Sequence, residues 1–423
     1  MFNKQIRDQI KSGNSYWYNF FILSLDSGAF NFAINMLSHL TIVPYYISTL
    51  TDSNFIIGLA PVIFIMGRFF PQVFAANYVN GLKQRKRYLV TWVAAERVGI
   101  LLIFLSVFFF AEQDGFIAIF SFLVAYAFFS TTLGMVMPAH SDLVARSIDK
   151  NRGIFYGVSF FVGGIAGIIG AQLASRYLDL MPFPISYYYV FGLPIIVTTI
   201  SLIFWYFIKE PKFEYETKRM ETREYIQFLI KLLKENIEYS KFILVRIVLN
   251  LCEIATPFYS VYATIKFDIS PGVVGLFTMV MLVSQSFANL LWGYIGNKYG
   301  FKRVLQCVTL LGITATILAL TATKYYIFYF VYVLVGAMYS SVNVANVNLA
   351  IEFSRPDMTP TFVGLMNTLQ APALAFASMF GGIIADSFGY SVTIFIGLLL
   401  FAFSAIFTTL FMKDPREIKE EVV

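Results

Sequence analysis

Apolar runs about the length of a membrane-crossing helix recur along the whole chain, parted by short charged or turn-rich breaks. A helix rises ~1.5 Å per residue, so ~20 mostly apolar residues are needed to cross a ~30 Å hydrocarbon core. Twelve runs meet that requirement, near 17–43, 55–80, 88–110, 116–139, 153–175, 187–208, 241–264, 272–296, 304–322, 325–350, 361–385 and 390–412. A transmembrane barrel would show runs of ~10 residues instead. Between the sixth and seventh runs lies a polar stretch, 209–240. Within it Ile226, Leu229, Ile230, Leu233 and Ile237 share one helical face, with Lys231, Lys234 and Glu235 elsewhere. That pattern predicts an amphipathic helix on the inner membrane surface.

Composition narrows the class further. The chain has 423 residues, 58% hydrophobic and only 13% charged. Soluble domains run roughly 45–50% apolar and ~25% charged. A soluble enzyme, a disordered chain, a collagen and a coiled coil are all excluded. The net charge of +6 suggests nucleic acid until the basic residues are placed. Lys and Arg concentrate in cytoplasmic segments. With the N-terminus inside, 25 of the 31 fall in cytoplasmic segments and only Arg176, Lys266 and Lys324 outside; Arg68, Arg97 and Arg246 lie within spans. This bias predicts both termini in the cytoplasm of a multi-pass cell-membrane protein, and explains the charge without nucleic acid.

Several chemistries are not expected. Cys252 and Cys307 have no metal spacing and cannot form a disulfide framework. His140, Asp142 and Asp149 have no companion His or Cys cluster, so no metal is expected. No G-x-x-x-x-G-K-[ST] loop occurs, so ATP hydrolysis by that route is not expected, nor is any cofactor. The first sixteen residues are polar and the first apolar run is too long for a signal-peptide core, so no cleaved leader is expected.

The two sets of six spans repeat. The turn after span 2 reads ANYVNGLKQRKR from Ala76, and the turn after span 8 reads GYIGNKYGFKRV from Gly293. The offset of 217 residues places Asn80 on Asn297 and Gly58 on Gly275. The halves also end alike, in FIKEPK at 207–212 and FMKDPR at 411–416. Parallel repeats about an axis along the membrane normal are one transporter architecture.

On these residues the chain resembles the major facilitator superfamily over nearly its whole length. GYIGNKYGFKR (293–303) is similar to the family's glycine-rich basic turn. The first copy departs from it, with Ala76 and Lys83 in place of glycines, and both copies carry Asn80 or Asn297 where the family often has Asp. DKNRGIFYG (149–157) is similar to the loop between spans 4 and 5. The proton-antiporter pattern is missing: Ser130 stands four residues before Gly134 where an Arg would be, and span 5 carries Gly157, Gly163, Gly164, Gly167 and Gly170 without a Gly-Pro pair. Those glycines predict close helix packing. The resemblance implies an all-α membrane protein of twelve helices in two pseudo-symmetric six-helix bundles, 1–208 and 241–423, joined by a 209–240 linker. It also implies substrate binding near the bilayer midplane and alternating access.

A charge in mid-membrane costs at least ~2.5–3.5 kcal/mol, so each one is a functional candidate. Arg246, Asn250 and Glu253 stand at i, i+4 and i+7 in span 7. At about 100° per residue they form one stripe, continued by Pro257, where proline can loosen the helix. The resemblance places spans 1 and 7 on the central cavity. Glu253 is then a candidate proton or cation site and Arg246 a candidate for an anionic group, with a structural Arg246–Glu253 pair as the alternative. In span 1, Ser24, Ser27, Asn31, Asn35 and His39 share a face; Asp26 lies off it and is a second candidate for the coupling ion. Arg68 and Glu96 lie at similar depth on either side of the turn at 82–84, and a structural ion pair between them is expected, with a cavity-facing Arg68 above Gln72 as the alternative. Thr278, Gln285, Asn289 and Trp292 share a face of span 8, and Tyr339, Asn343 and Asn346 one of span 10. Asn367 and Gln370, before Pro372, add amides from span 11.

The resulting expectation is a non-enzymatic secondary transporter that moves a small-molecule solute, with a proton or sodium ion as the candidate coupling partner. It works in the lipid bilayer as a monomer. The competing expectation within the same fold is an exporter of amphipathic or drug-like compounds. A non-transporting receptor is the remaining rival, although only about ten residues follow the last span.

Overall fold

The computed structural model describes residues 2–417 apart from 40, 52, 114, 149, 211–219, 270 and 356. Asp149, Pro211, Lys212, Lys218 and Arg219 therefore lie outside the described residues. Every regular element is helical among those described, and the helices fall into two compact units.

The first unit comprises Met1–Lys150, Val162–Met220 and Pro356–Gly364. Its helices are α1 (Phe2–Met36), α2 (Ile42–Ser48), α3 (Asn54–Phe69), α4 (Gln72–Asn80), α5 (Arg85–Phe110), α6 (Gly115–Ser147), most of α7 (Arg152–Leu180) and α8 (Ile185–Phe207). α5 packs on α6 and α8, α3 packs on α6, and α1 packs on α8. Aromatic rings fill the middle, with Tyr46, Phe122, Tyr126, Phe129, Tyr187 and Phe191 all buried. Span 2 is split at Phe70–Pro71 because Pro71 has no N–H to continue the ladder.

The second unit comprises Asn151–Phe161, Glu221–Arg355 and Leu365–Val423. It holds the start of α7, then α9 (Thr222–Glu235), α10 (Ile237–Cys252), α11 (Phe258–Phe267), α12 (Pro271–Tyr299), α13 (Phe301–Thr321), α14 (Ile327–Phe353), most of α15 (Thr359–Phe388) and α16 (Tyr390–Phe411). α14 packs on both α12 and α13, and α16 packs on α13 and α10. Its core gathers Ala255, Phe277, Ala315, Phe328 and Tyr332.

Among the described residues, nine stretches are long and apolar enough to cross a membrane. The first and seventh expected spans are each broken in two, α1/α2 and α10/α11, and the eleventh runs as the single helix α15. The fold is thus all-α, with twelve membrane-crossing segments in two six-segment repeats. The breaks obey the repeat: adding 217 to residues 37–41, between α1 and α2, gives 254–258, and α10 stops at Cys252 with α11 starting at Phe258. α12 begins at Pro271, 217 residues after the start of α3 at Asn54. The large exposed apolar side chains, such as Phe116, Phe388 and Leu410, face outward where lipid would solvate them.

α9 is the amphipathic helix expected on the linker. It buries Tyr225, Leu229 and Leu232, while Ile226 and Ile230 stay exposed. The expected face is thus half-packed on protein and half free to lie on a membrane surface.

Candidate functional site

In the second unit, Arg246 is nearly fully buried on α10. Its Nη2 donates to Asn250 Oδ1 and to Gln370 Oε1, each at 3.1 Å. Asn250 Nδ2 reaches Gln370 Oε1 at 3.4 Å, and Gln370 Nε2 donates to Asn367 Oδ1 at 2.9 Å. A row of neutral amides from α10 and α15 therefore holds one face of a buried cation. The other edges are bare: Arg246 Nε and Nη1 have no hydrogen-bond partner. Glu253 lies near enough to act on Arg246 electrostatically but makes no direct ion pair with it, so the structural-pair alternative would have to bridge through water or another helix. The guanidinium is planar, and its free Nε–H and Nη1–H groups can each donate to an oxygen of a carboxylate or similar anion.

The i, i+4 step of the predicted stripe holds, since Asn250 accepts from Arg246. The continuation to Pro257 does not, because α10 ends at Cys252 and residues 253–257 form turns before Pro257 opens α11. The loosening expected at Pro257 is a complete break. Glu253 caps α10 within it, beside Thr256 and the Tyr339 side chain of α14. Irregular backbone at membrane depth is tolerated only inside protein or along a water-filled cavity.

Elsewhere in this unit Asn289 is buried with its Oδ1 unpartnered, and Asn346 also has a bare buried Oδ1. Gln285 is half-buried on α12, beside Gly336 of α14, and Asn343 is exposed. Trp292 donates to the Ala337 carbonyl at 2.8 Å and so joins α12 to α14.

In the first unit, the α1 amides turn toward a neighbouring helix. Asn31 Nδ2 donates back to the Ser27 carbonyl and Asn35 Nδ2 to the Asn31 carbonyl, each at 2.8 Å. A Cβ on Gly163 or Gly167 of α7 would strike these carboxamides, so the span-5 glycines serve the close packing expected of them. His39 sits in the α1/α2 break with its ring stacked on Phe64 at 4.2 Å.

The expected Arg68–Glu96 pair is absent. Glu96 Oε1 lies 2.9 Å from Nη1 of its sequence neighbour Arg97. Arg68 sits with its guanidinium 5.9 Å and 5.7 Å from the Phe64 and Phe69 rings, and its carbonyl accepts from Gln72 at 2.8 Å. The physical reason is lateral position. Equal depth along a hairpin brings side chains together only if the two helices are neighbours, and here α3 packs on α6 while α5 turns toward α6 and α8.

Arg97, a candidate from the sequence only as a charge within a span, is the cation of this unit's charge cluster. It donates to the Thr198 carbonyl at 3.1 Å and to Ser201 Oγ at 2.9 Å on α8, and its Nη2 lies 3.8 Å from Asp26 Oδ1. Trp205 Nε1 donates to the same Asp26 oxygen at 3.0 Å. Asp26 thus belongs to a buried charge cluster of α1, α5 and α8, off the Asn31–Asn35 face, as its place on the helical wheel indicates.

These features define a helical membrane protein of two six-span repeats with buried polar clusters. Residues 242–422 match the sequence model of the Major Facilitator Superfamily. No curated protein matches the chain in sequence. Solved structures match in fold. A Major Facilitator Superfamily transporter, FucP, in the outward conformation is 15% identical with a TM-score of 0.76, over 93% of this chain and 99% of that one. The proton:xylose symporter XylE is 13% identical with a TM-score of 0.72, over 95% and 97%. The human organic anion transporter MFSD10 is 14% identical with a TM-score of 0.68, over 94% and 99%. The resemblance to the major facilitator superfamily is borne out: residues 242–422 carry the family's sequence pattern, and 93–95% of the chain matches the fold of these solved transporters.

Proposed function

We propose that this chain is a secondary transporter that moves a small polar solute bearing an anionic group by alternating access. The observation that carries the reading is Arg246, a buried cation held by neutral amides with two N–H edges unpartnered. A buried charge without a direct ion-pair partner is costly and is retained where a pathway needs it. A solute carboxylate or phosphate would supply the missing charge, with Asn250 and Gln370 orienting the guanidinium and Asn367 steadying Gln370. Glu253, in the helix break, is the candidate coupling site in this unit, and Gln285, Asn289, Asn343 and Asn346 are candidate hydrogen-bonding partners for the rest of the solute. Similar folds whose names state transport of sugars with protons, or of organic anions, support the reading. The distribution of basic residues supports a cell-membrane protein with both termini cytoplasmic, and the protein is proposed to act there as a monomer.

The test is a thermal-shift screen of the purified protein against neutral sugars, sugar acids, dicarboxylates and lipophilic cations. A ligand that binds only the folded state stabilises it by about 2.7 kcal/mol at a hundredfold excess over Kd. The reading expects sugar acids or dicarboxylates to raise Tm, the effect to vanish in Arg246→Gln, and the same compounds to exchange across proteoliposomes. A response to lipophilic cations alone would overturn it in favour of the amphipathic exporter.

A further inference from the structure

The first unit contains two buried carboxylates and one buried guanidinium in a single cluster. Asp26, Glu96 and Arg97 are each less than a tenth exposed. Arg97 is pinned to α8 through Thr198 and Ser201, so it cannot swing away to leave either acid. No other ion pair to Asp26 or Glu96 is found among the described residues, and α8 brings only neutral groups to the cluster: Thr198, Ser201 and Trp205. On the side of α1 toward α7, Ser27 and Asn31 meet Gly163. From α6, His140 approaches the cluster, its ring 6.0 Å from that of Trp205, while Asp142 pairs with Arg146 and with Arg85. With both acids ionised the cluster would carry one uncompensated negative charge inside an apolar bundle. Two acids competing for one counter-charge in such a place are not both ionised.

The oxygens differ in how they are served. Asp26 Oδ1 receives the Trp205 N–H and faces Arg97. Glu96 Oε1 is buried and accepts no hydrogen bond, although Arg97 Nη1 lies 2.9 Å away. That contact supplies charge without an aligned hydrogen bond, so a second buried carboxylate beside the same cation is costly, and a proton on either acid removes the cost.

We infer that Asp26 and Glu96 hold one proton between them around Arg97, forming a proton-binding site within the first unit, separate from the Arg246 cluster. The step is a protonation: one proton from water adds to one carboxylate and leaves the cluster neutral. Because the acids share a counter-charge, the proton belongs to the pair and not to either residue. Trp205 favours the ionised form at Asp26 and the closer guanidinium favours it at Glu96, so the two acids compete evenly for the proton. Any motion of α1 against α5 and α8 changes which acid Arg97 serves, and so changes the proton's hold. This use of the site in coupling rests on the transport reading above; the site itself does not, and its test requires no solute.

Infrared spectroscopy of the purified protein in detergent reads a protonated carboxyl directly, through a C=O stretch distinct from carboxylate and amide bands. Glu96→Gln leaves a neutral Asp26–Arg97 pair, and Asp26→Asn leaves a neutral Glu96–Arg97 pair. Each is expected to remove the same one-carboxyl band at neutral pH, whereas Glu253→Gln and His140→Gln leave that band in place. Retention of the band in both Glu96→Gln and Asp26→Asn, or its absence from the wild type, overturns the proposal. If one variant fails to fold, a second readout remains. The protein has four tryptophans, and Trp17→Phe, Trp92→Phe and Trp292→Phe together leave Trp205 as sole emitter. Its emission is expected to shift as the pair deprotonates at alkaline pH, and to do so also with His140→Gln. A pH-independent Trp205 emission, or a shift that His140→Gln abolishes, counts against the site. Loss of solute transport with the band intact would instead strike the transport reading alone.

Discussion

Arg246 of α10 and Gln370 of α15 are joined by a 3.1 Å hydrogen bond from Nη2 to Oε1, which fixes the guanidinium while leaving its Nε and Nη1 free. The fixed plane makes a geometric prediction that charge alone does not. Lysine keeps the charge but not the two fixed, separately directed N–H donors. A hydrogen bond to a charged group contributes about 1.5–3 kcal/mol. Arg246→Lys is therefore expected to weaken carboxylate binding by roughly ten- to a hundredfold, read as the ligand concentration needed for half the thermal shift. Arg246→Gln should abolish it, while Asn250 and Gln370 continue to bond each other and the fold persists.

Arg97 gives the opposite outcome. It holds Asp26 and Glu96 together, so Arg97→Gln leaves two buried carboxylates without a cation. Removing one partner of a buried ion pair costs about 3–5 kcal/mol. Arg97→Gln is expected to abolish expression of monodisperse protein, as seen by size-exclusion chromatography in detergent. The triple variant Arg97→Gln/Asp26→Asn/Glu96→Gln, with no buried charge left, should restore much of it. Failure of the triple variant to improve on the single one would show that Arg97 acts through its bonds to Thr198 and Ser201 instead.

The contrast between these two arginines shows what was legible in the sequence. Span count and order follow from hydrophobic length, which depends on the bilayer and not on helix neighbours. The Arg246–Asn250 contact follows from helical spacing within one element. Gln370 is visible as a polar residue in span 11, but spacing along α15 does not say that it meets α10. Glu96 was matched to Arg68 by depth, and the match failed because α3 and α5 are kept apart laterally by α6. Arg97 is visible as a charge within a span, but its partners Asp26 on α1 and Thr198 and Ser201 on α8 depend on which helices meet α5. The glycines of α7 announce close packing without naming Asn31 and Asn35 as what they pack against.

The repeated motif at the end of each half acquires a mechanism. Glu210, in FIKEPK, accepts from the backbone N–H groups of Arg85 and Lys86 at 2.6 and 3.1 Å, the first two residues of α5. Asp414, in FMKDPR, places its carboxylate against Gly300, the residue that precedes α13 and adopts a left-handed φ of 91°. A carboxylate at a helix N-terminus satisfies free N–H groups and meets the positive end of the helix dipole. Glu210→Ala is expected to cost about 0.5–2 kcal/mol, the range for removal of an N-cap, and Glu210→Gln less. Asp414→Ala should behave alike, and Gly300→Ala should also destabilise because of its backbone conformation. Tm in one detergent, compared across the four variants, checks the ranking.

Glu238 gives a prediction for acid. It stands at the start of α10, outside the apolar span, where Oε1 lies 2.6 Å from Lys241 Nζ and Oε2 accepts from the Lys413 N–H at 3.0 Å. Partial burial acts to raise its pKa, but the hydrogen bonds from Lys241 and Lys413 and their positive charge outweigh it and hold the carboxyl below its ordinary value. A carboxylate with a depressed folded-state pKa adds stability that is complete above the unfolded value and is lost as pH falls through the folded one. Glu238→Gln should therefore lower Tm at neutral pH, by the equivalent of about 1 kcal/mol, because it weakens the hydrogen bonds from Lys241 and Lys413. That deficit should shrink as the medium is acidified below the ordinary glutamate range, where the wild-type carboxyl is protonated too. A deficit that stays constant from neutral to acid pH would mean that Glu238 ties α10 to the segment after α16 by shape and neutral hydrogen bonding, with its charge playing no part.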